Sequence, residues 1–243
     1  MTFDTHRLSF GEVAERYDRA RPTYPADAVI WAVGPDARRV LDLGAGTGKL
    51  TRVALGLGLD VVAVEPDPGM RAQLDAATKL MAPVLSALAG SAEEIPLADA
   101  SVDAVIAGQA YHWFTPEKAL PEIARVLKPA GCFAAIWNMR SVEQGWTKRL
   151  DDIMDGGQAP QWSRANDPDF GPLFTPIEDR NFSHSVLYTA QGLRDHVASR
   201  SHYLVAAPER QAEILAQVDE LTAGFAEQFE LRYTTLVRKA FKL

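Results

Sequence analysis

The chain has 243 residues, 47% of them hydrophobic, which suits one sizeable core with an embellishment and not two independent folds. Lys plus Arg number 25 against 32 Asp plus Glu, and the net charge of -7 argues against a general nucleic-acid or anionic-membrane partner. The single Cys132, set in an apolar run that reads as core, rules out an intramolecular disulfide, and with no apolar leader or long apolar span a cytoplasmic protein is expected.

In chain order, Ala14–Pro25 is rich in aromatic and basic residues and closes on Pro22 and Pro25, which stop any helix. Val40–Leu43 is an apolar strand, followed by the glycine-dense turn Gly44, Gly46 and Gly48 and a helix predicted over Thr47–Leu57. Glycine is needed where a backbone turns sharply out of a buried strand and a ligand must lie against it. Val61–Val64 is the second strand and ends in Glu65, at the spacing that puts a carboxylate on ribose hydroxyls. A helix is predicted over Pro68–Leu80, a strand over Val102–Ala107, a helix over Pro116–Leu127 and a strand over Phe133–Trp137.

Between strand and helix, Gly108–Phe114 carries an aromatic cluster with one titratable group, His112. Trp113 and Phe114 read as a packed hinge. His112 titrates near neutral pH and is the candidate general base. Beyond Asn138, Val142–Asp155 reads as a helix, Gly156–Pro176 as irregular, Arg180–Tyr188 as an alternating strand, Pro208–Phe229 as helical and Leu231–Phe241 as a final alternating strand. Trp146, Trp162, His184, His196, Arg200 and His202 lie in this half; each singly reads as structural or solvent-facing, and any of them is placed to line a pocket.

The turn is a nucleotide site, and its residues discriminate among ligands. A phosphate-binding P-loop fails twice, because Leu43 stands where its first glycine belongs and Leu50 where its hydroxyl belongs. A dinucleotide fingerprint finds Gly44 and Gly46 but Lys49 at the third glycine. Asp42 at the strand end would repel a pyrophosphate and suits a ligand carrying ammonium and sulfonium groups.

At Val40–Gly48 the chain resembles the class I S-adenosylmethionine-dependent methyltransferases, and the likeness continues in order through Gly90–Pro96, Ser101–Ala107 and Ala124–Phe133, over roughly residues 36 to 138. The pairing of Tyr17–Pro22 with Ala110–Phe114 resembles a small-molecule branch of type 11 methyltransferases that includes trans-aconitate and ubiquinone-biosynthesis enzymes. The resemblance implies an α/β, Rossmann-like, doubly wound sheet of seven strands, mostly parallel, with an antiparallel C-terminal edge strand and helices on both faces. It implies cofactor contacts at Tyr17, Arg21, Asp42, Gly44, Ala45, Gly46, Gly48, Glu65, Pro66, Met70, Ser91, Ala92, Glu93, Gly108 and Gln109. Tyr17 and Arg21 would sit on a lid facing the methionine carboxylate or the substrate. Ser91 departs from the Asp that related proteins often carry for the adenine amino group, which leaves that contact to Ser91 or Glu93. The implied organisation is a lid at 1–35, a cofactor core at 36–138, an acceptor cap at 139–177 and closing elements at 178–243.

The reaction implied is in-line methyl transfer to an O, N or C nucleophile of a small molecule, a carboxylate among the candidates, by a monomer or homodimer without a metal. Signatures of nucleic-acid base methylation are absent: Trp137–Arg140 lacks the Asn/Asp-Pro-Pro-Tyr/Phe pattern. Two alternatives stay open on sequence, a nicotinamide-dependent oxidoreductase and a noncatalytic S-adenosylmethionine-binding protein.

Overall fold

The computed structural model describes Asp18 and residues 21–81, 85–141, 145–155 and 169–243. Tyr17 and Trp162, singled out above, lie outside them. The first elements are α1 (Ala26–Val33), β1 (Arg39–Leu43), α2 (Lys49–Gly56), β2 (Asp60–Val64), α3 (Pro68–Thr78) and β3 (Leu85–Leu88). After them come β4 (Val102–Gly108), a 3-10 turn (Tyr111–Trp113), α4 (Pro116–Val126) and β5 (Leu127–Arg140). The chain closes with α5 (Gly145–Asp155), β6 (Glu178–Tyr188), α6 (Ala190–Ala198), α7 (Ser201–Leu204), α8 (Pro208–Thr222) and β7 (Phe229–Phe241).

The seven strands form one sheet in the order β3-β2-β1-β4-β5-β7-β6. Neighbours from β3 to β5 run parallel, and β7 pairs antiparallel with both β5 and β6. The chain winds outward from β1 to β3 and then returns to place β4 on β1's other side. Such a reversal opens a crevice at the carboxyl ends of the strands.

Near-continuous apolar strands are the signature of a sheet covered on both faces. In β5, Phe133, Ala135 and Trp137 join one core cluster with Leu41, Val64 and α4's Ile123. The alternate residues Cys132, Ala134 and Ile136 join the other, with Val29 of α1 and Ala54 of α2. Ile123 is fully buried, which stabilises by about 1.5–3 kcal/mol relative to exposure. Cys132 is core: burial pushes its thiol up to about 11, and Sγ lies 3.3 Å from the Ala32 carbonyl. A third cluster packs α5, α6 and α8 against Tyr188 of β6 and Tyr233 of β7.

Of the predicted elements, two differ most in their bounds, and Ala26–Val33, Leu85–Leu88, Ala190–Ala198 and Ser201–Leu204 were not predicted. β5 is longer than Phe133–Trp137 because the chain bulges at Lys128–Gly131 and keeps pairing on either side, with Val102 opposite Leu127 and Ala104 opposite Cys132. The last helix stops at Thr222, not Phe229. There the Thr222 hydroxyl donates back to Val218. Phe225 and Phe229 then pack on Trp146, with centroids at 5.3 and 5.7 Å, and turn the chain into β7. Among the described residues no helix is long and apolar enough to cross a membrane.

Candidate functional site

The glycine turn leaves β1 at the crevice. Gly44, Gly46 and Gly48 have φ of 72°, 58° and 82°, the left-handed region that glycine enters without strain. The Gly44 and Ala45 N–H groups donate to the Val64 carbonyl, at 2.8 and 3.1 Å, which ties the turn to the end of β2. A Cβ on Gly44 would fall 2.8 Å from Ala110, so this glycine is needed for packing. A Cβ on Gly46 would meet nothing within 4 Å, so Gly46 faces open space. Its N–H donates to Glu65 Oε2 at 2.9 Å.

Glu65 is thereby held at both oxygens, since Oε1 accepts from the Asp67 N–H at 2.9 Å. Burial raises its pKa against those two hydrogen bonds, and neighbouring Asp67 adds to the rise while Arg71 opposes it. Asp67 caps α3 by accepting from the Met70 N–H at 2.8 Å, and Met70 is buried. Arg71 clasps the Glu65 and Pro66 carbonyls at 2.6 and 2.8 Å. The carboxylate, Pro66 and Met70 are one rigid corner.

Asp42 lies at the end of β1, 1% exposed. The Thr51 hydroxyl donates to its Oδ2 at 2.6 Å, and Oδ1 is buried with no partner among the described residues. Burial pushes the carboxyl up to about 7, Thr51 opposes, and Glu65 raises it further through space. An orphaned buried acceptor costs the fold roughly 1–3 kcal/mol. A pair of mutually repelling carboxyls beside an open glycine turn fits a ligand that brings hydroxyl donors and positive charge, as S-adenosylmethionine does with its ribose, ammonium and sulfonium.

Asp18 reaches back over the turn. Its Oδ1 accepts from the Thr47 hydroxyl at 2.8 Å and from Arg52 Nη2 at 2.7 Å. Arg21 lies between this corner and the far end of the sheet: it acts electrostatically on Lys49 at the start of α2, and its Nε and Nη2 donate to Ser199 Oγ and O, each at 3.0 Å. A Cβ on Gly108 would fall 2.8 Å from the Tyr24 hydroxyl, so the N-terminal segment closes directly on the end of β4. Gln109 follows with φ 54°, unusual for a side chain with a Cβ. Two bonds hold it, its N–H to the Ile136 carbonyl at 2.8 Å and its Nε2 to the Asn138 carbonyl at 2.9 Å.

The half-buried His112 stands on the 3-10 turn that follows, its ring 5.0 Å from that of Trp113. Phe114 is buried in the core and Trp113 packs against it, as the hinge reading expects. Tyr111 is buried among Phe133, Trp137 and Phe170. Beyond β3, Ser91 Oγ accepts from the Glu93 N–H at 3.2 Å, and Glu93 Oε1 accepts from the Thr115 N–H at 2.9 Å, at the start of α4. Ala92 between them is buried. Ser91 is thus engaged in its own turn and Glu93 in a helix start.

Sequence reasoning passed over Asp18, Tyr24, Thr51 and Asn138. Thr51 carried a signal, a hydroxyl on the apolar face of α2 beside Leu50, Ala54 and Leu55. Asn138 also carried one, an amide ending an apolar strand. Its Nδ2 donates to the Thr23 carbonyl at 3.0 Å and its Oδ1 accepts from Thr235 at 2.6 Å, which pins the N-terminal segment to β5 and β7. Among the described residues no cluster of His, Cys, Asp and Glu could hold a metal ion.

A methyltransferase domain family matches residues 41–135, from the middle of β1 to the middle of β5. An uncharacterised methyltransferase of Mycobacterium tuberculosis is 44% identical over 216 residues, covering 89% of this chain and 86% of its own length. One from Schizosaccharomyces pombe is 34% identical over 213 residues, covering 84% and 83%. Among solved structures, one assigned as a type II methyltransferase of Anaeromyxobacter dehalogenans superposes with a TM-score of 0.68 at 22% identity, covering 90% of this chain and 97% of that one. A phosphoethanolamine N-methyltransferase of Haemonchus contortus, bound to phosphomonomethylethanolamine and S-adenosylhomocysteine, superposes with a TM-score of 0.59 at 16% identity, covering 100% and 60%.

Proposed function

The chain belongs to the class I S-adenosylmethionine-dependent methyltransferases, and on that premise we propose that the crevice between β1, β2 and β4 holds the cofactor while the space beyond β4 and β5 receives a small-molecule acceptor. The observation that carries this reading is the pair Asp42 and Glu65, one with a buried oxygen that has no partner among the described residues and one clamped at both oxygens, on either side of the open Gly46 turn.

Glu65 is the acceptor for the ribose hydroxyls, and Pro66 and Met70 set its corner. Gly44, Ala45, Gly46 and Gly48 give the backbone its close approach. Asp42 complements the positive charge. Ser91, Ala92 and Glu93 flank the adenine, where the buried Ala92 N–H is the contact on offer once Ser91 and Glu93 are spent on local bonds. Gly108 and Gln109 present backbone carbonyls to the ammonium. Arg21, and Tyr17 outside the described residues, belong to a lid made by 1–35 over the core at 36–138, with residues 139–177 supplying an acceptor cap and 178–243 closing the sheet.

Bound S-adenosylmethionine supplies a methyl already activated on a sulfonium. The chain's own tasks are to position the acceptor in line, exclude water and remove a proton where the acceptor is a hydroxyl. Tyr24 against Gly108 and Asp18 across Thr47 close the site from above. His112, just past β4, is the base for a hydroxyl acceptor. A carboxylate acceptor needs no base.

Thermal unfolding with S-adenosylmethionine, S-adenosylhomocysteine and NAD in parallel tests the assignment. A ligand at 100 times its Kd adds about 2.7 kcal/mol, worth roughly 5–10 °C for a chain of this size. Shifts with the two adenosyl ligands and none with NAD are expected; a shift with NAD alone would overturn it.

A further inference from the structure

Arg140 ends β5 directly opposite Tyr233 of β7, and the Tyr233 hydroxyl lies 3.3 Å from that of Tyr188 at the end of β6. Residues opposite one another in antiparallel register share a face of the sheet. The guanidinium and the two phenols therefore meet on one face, at the edge where the strands' carboxyl ends open. Arg140 is held there by Asp151 of α5, to which its Nε donates at 2.8 Å, and its side chain is only 8% exposed.

Two further arginines converge on the same place. Arg21 arrives from the N-terminal segment and binds Ser199 through Nε and Nη2. Arg200 is the next residue, at the turn between α6 and α7. All three guanidinium groups act electrostatically on Tyr233 and on His202 of α7. Burial lowers the His202 imidazole to about 4, with Arg200, Arg21, Arg140 and Arg210 adding to the effect, so it is neutral near pH 7.

Three guanidinium groups brought to one pair of buried phenols repel one another and cost desolvation, which a bound anion offsets. Arginine is the side chain whose fork matches an oxyanion with two hydrogen bonds.

We propose that Arg21, Arg140 and Arg200, with the Tyr188 and Tyr233 hydroxyls, form a subsite for an oxyanion of the methyl acceptor, a carboxylate or a phosphate, distinct from the atom that is methylated. The subsite rests on the methyltransferase reading above, since it takes the crevice beside β4 as the place of transfer. Gln109 at the end of β4 touches the Asn138 carbonyl. Arg140 is two residues further along the same face of β5, about 7 Å on. The held anion is a handle, and the acceptor is bifunctional, with its nucleophile several ångströms from the anionic group.

The test begins with calorimetric titration of S-adenosylhomocysteine into wild type, Arg200→Gln, Arg140→Gln and Arg140→Lys. The saturated proteins are then titrated with succinate, glycerol 3-phosphate and the neutral succinamide. We expect an oxyanion, and not succinamide, to bind wild type, and to lose at least tenfold in affinity in Arg200→Gln with S-adenosylhomocysteine affinity within twofold of wild type. Stronger binding of succinate assigns a carboxylate handle, and of glycerol 3-phosphate a phosphate handle. Arg140→Lys keeps the charge opposite Asp151, so it separates loss of the anion from loss of folding in Arg140→Gln. Failure of both oxyanions to bind saturated wild type, or unchanged binding in Arg200→Gln and Arg140→Lys, overturns the proposal. Failure of S-adenosylhomocysteine to bind wild type is a separate result, counting against the cofactor site, and the anions are then titrated into ligand-free protein with the same arginine dependence required.

Discussion

The Thr51 hydroxyl donates to Oδ2 of Asp42 at 2.6 Å and leaves Oδ1 of the same carboxyl buried with no donor among the described residues. The carboxyl, pushed up to about 7 by burial, is therefore poised to change charge near neutrality. A positively charged ligand favours the ionised form, so it lowers that pKa on binding and releases a proton. Affinity for S-adenosylmethionine is expected to rise as pH increases from 5.5 toward about 7 and to level off above it. Asp42→Asn should flatten the profile. Calorimetry at several pH values, in buffers of differing ionisation enthalpy, reads both the affinity and the proton released.

Glu122 and Arg125 tie the loop before β4 to α4. Glu122 accepts from the Ile95 N–H at 2.9 Å and from Arg125 Nε at 2.7 Å, and Arg125 donates to the Ile95 and Leu97 carbonyls. The Arg125 guanidinium holds the Glu122 carboxyl below its ordinary 4.5; burial opposes it, and the Ile95 N–H adds a smaller lowering. A carboxyl lowered by folding contributes stability that is complete above that ordinary value and is lost as pH falls through the folded one. Arg125→Ala is expected to cost about 1–3 kcal/mol at pH 7 and to shrink the difference from wild type below pH 4. Urea unfolding at pH 7 and pH 3.5 measures it, and an equal loss at both would remove the pair from the account.

His112 follows β4 by four residues, on the 3-10 turn proposed to face the acceptor. General-base catalysis by a positioned side chain contributes about 100-fold or more. His112→Ala should lower kcat by about that factor on an acceptor hydroxyl and leave S-adenosylhomocysteine affinity within twofold. Unchanged kcat in a folded variant removes His112 from catalysis.

Much of the proposed cofactor side was legible because it is local. The apolar runs, the glycines at 44, 46 and 48 and the carboxylate at 65 all fall within 30 residues, and the elements they predict appear with ends shifted by a few residues. The proposed acceptor side was not, because it is assembled at long range. Arg21 meets Ser199 across 178 positions, Asn138 meets Thr235 across 97, and Tyr188 meets Tyr233 across 45. No periodicity or spacing marks such pairs. Arg140 reads in sequence as the polar end of an apolar strand; only the β5 to β7 register sets it opposite a tyrosine. The overlong helix before β7 has a similar cause, because the residues that end it do so through tertiary contact with Trp146.

Glu65, fixed by the Gly46 and Asp67 N–H groups, is the residue assigned to the cofactor's ribose. The direct measurement is the affinity of S-adenosylhomocysteine for wild type and Glu65→Ala by calorimetry at pH 8, with circular dichroism confirming that the variant is folded. Loss of a charge-assisted pair of bonds costs about 1.5–3 kcal/mol, a weakening of roughly 10- to 150-fold. Affinity equal to wild type in a folded Glu65→Ala protein would contradict the assignment of this crevice.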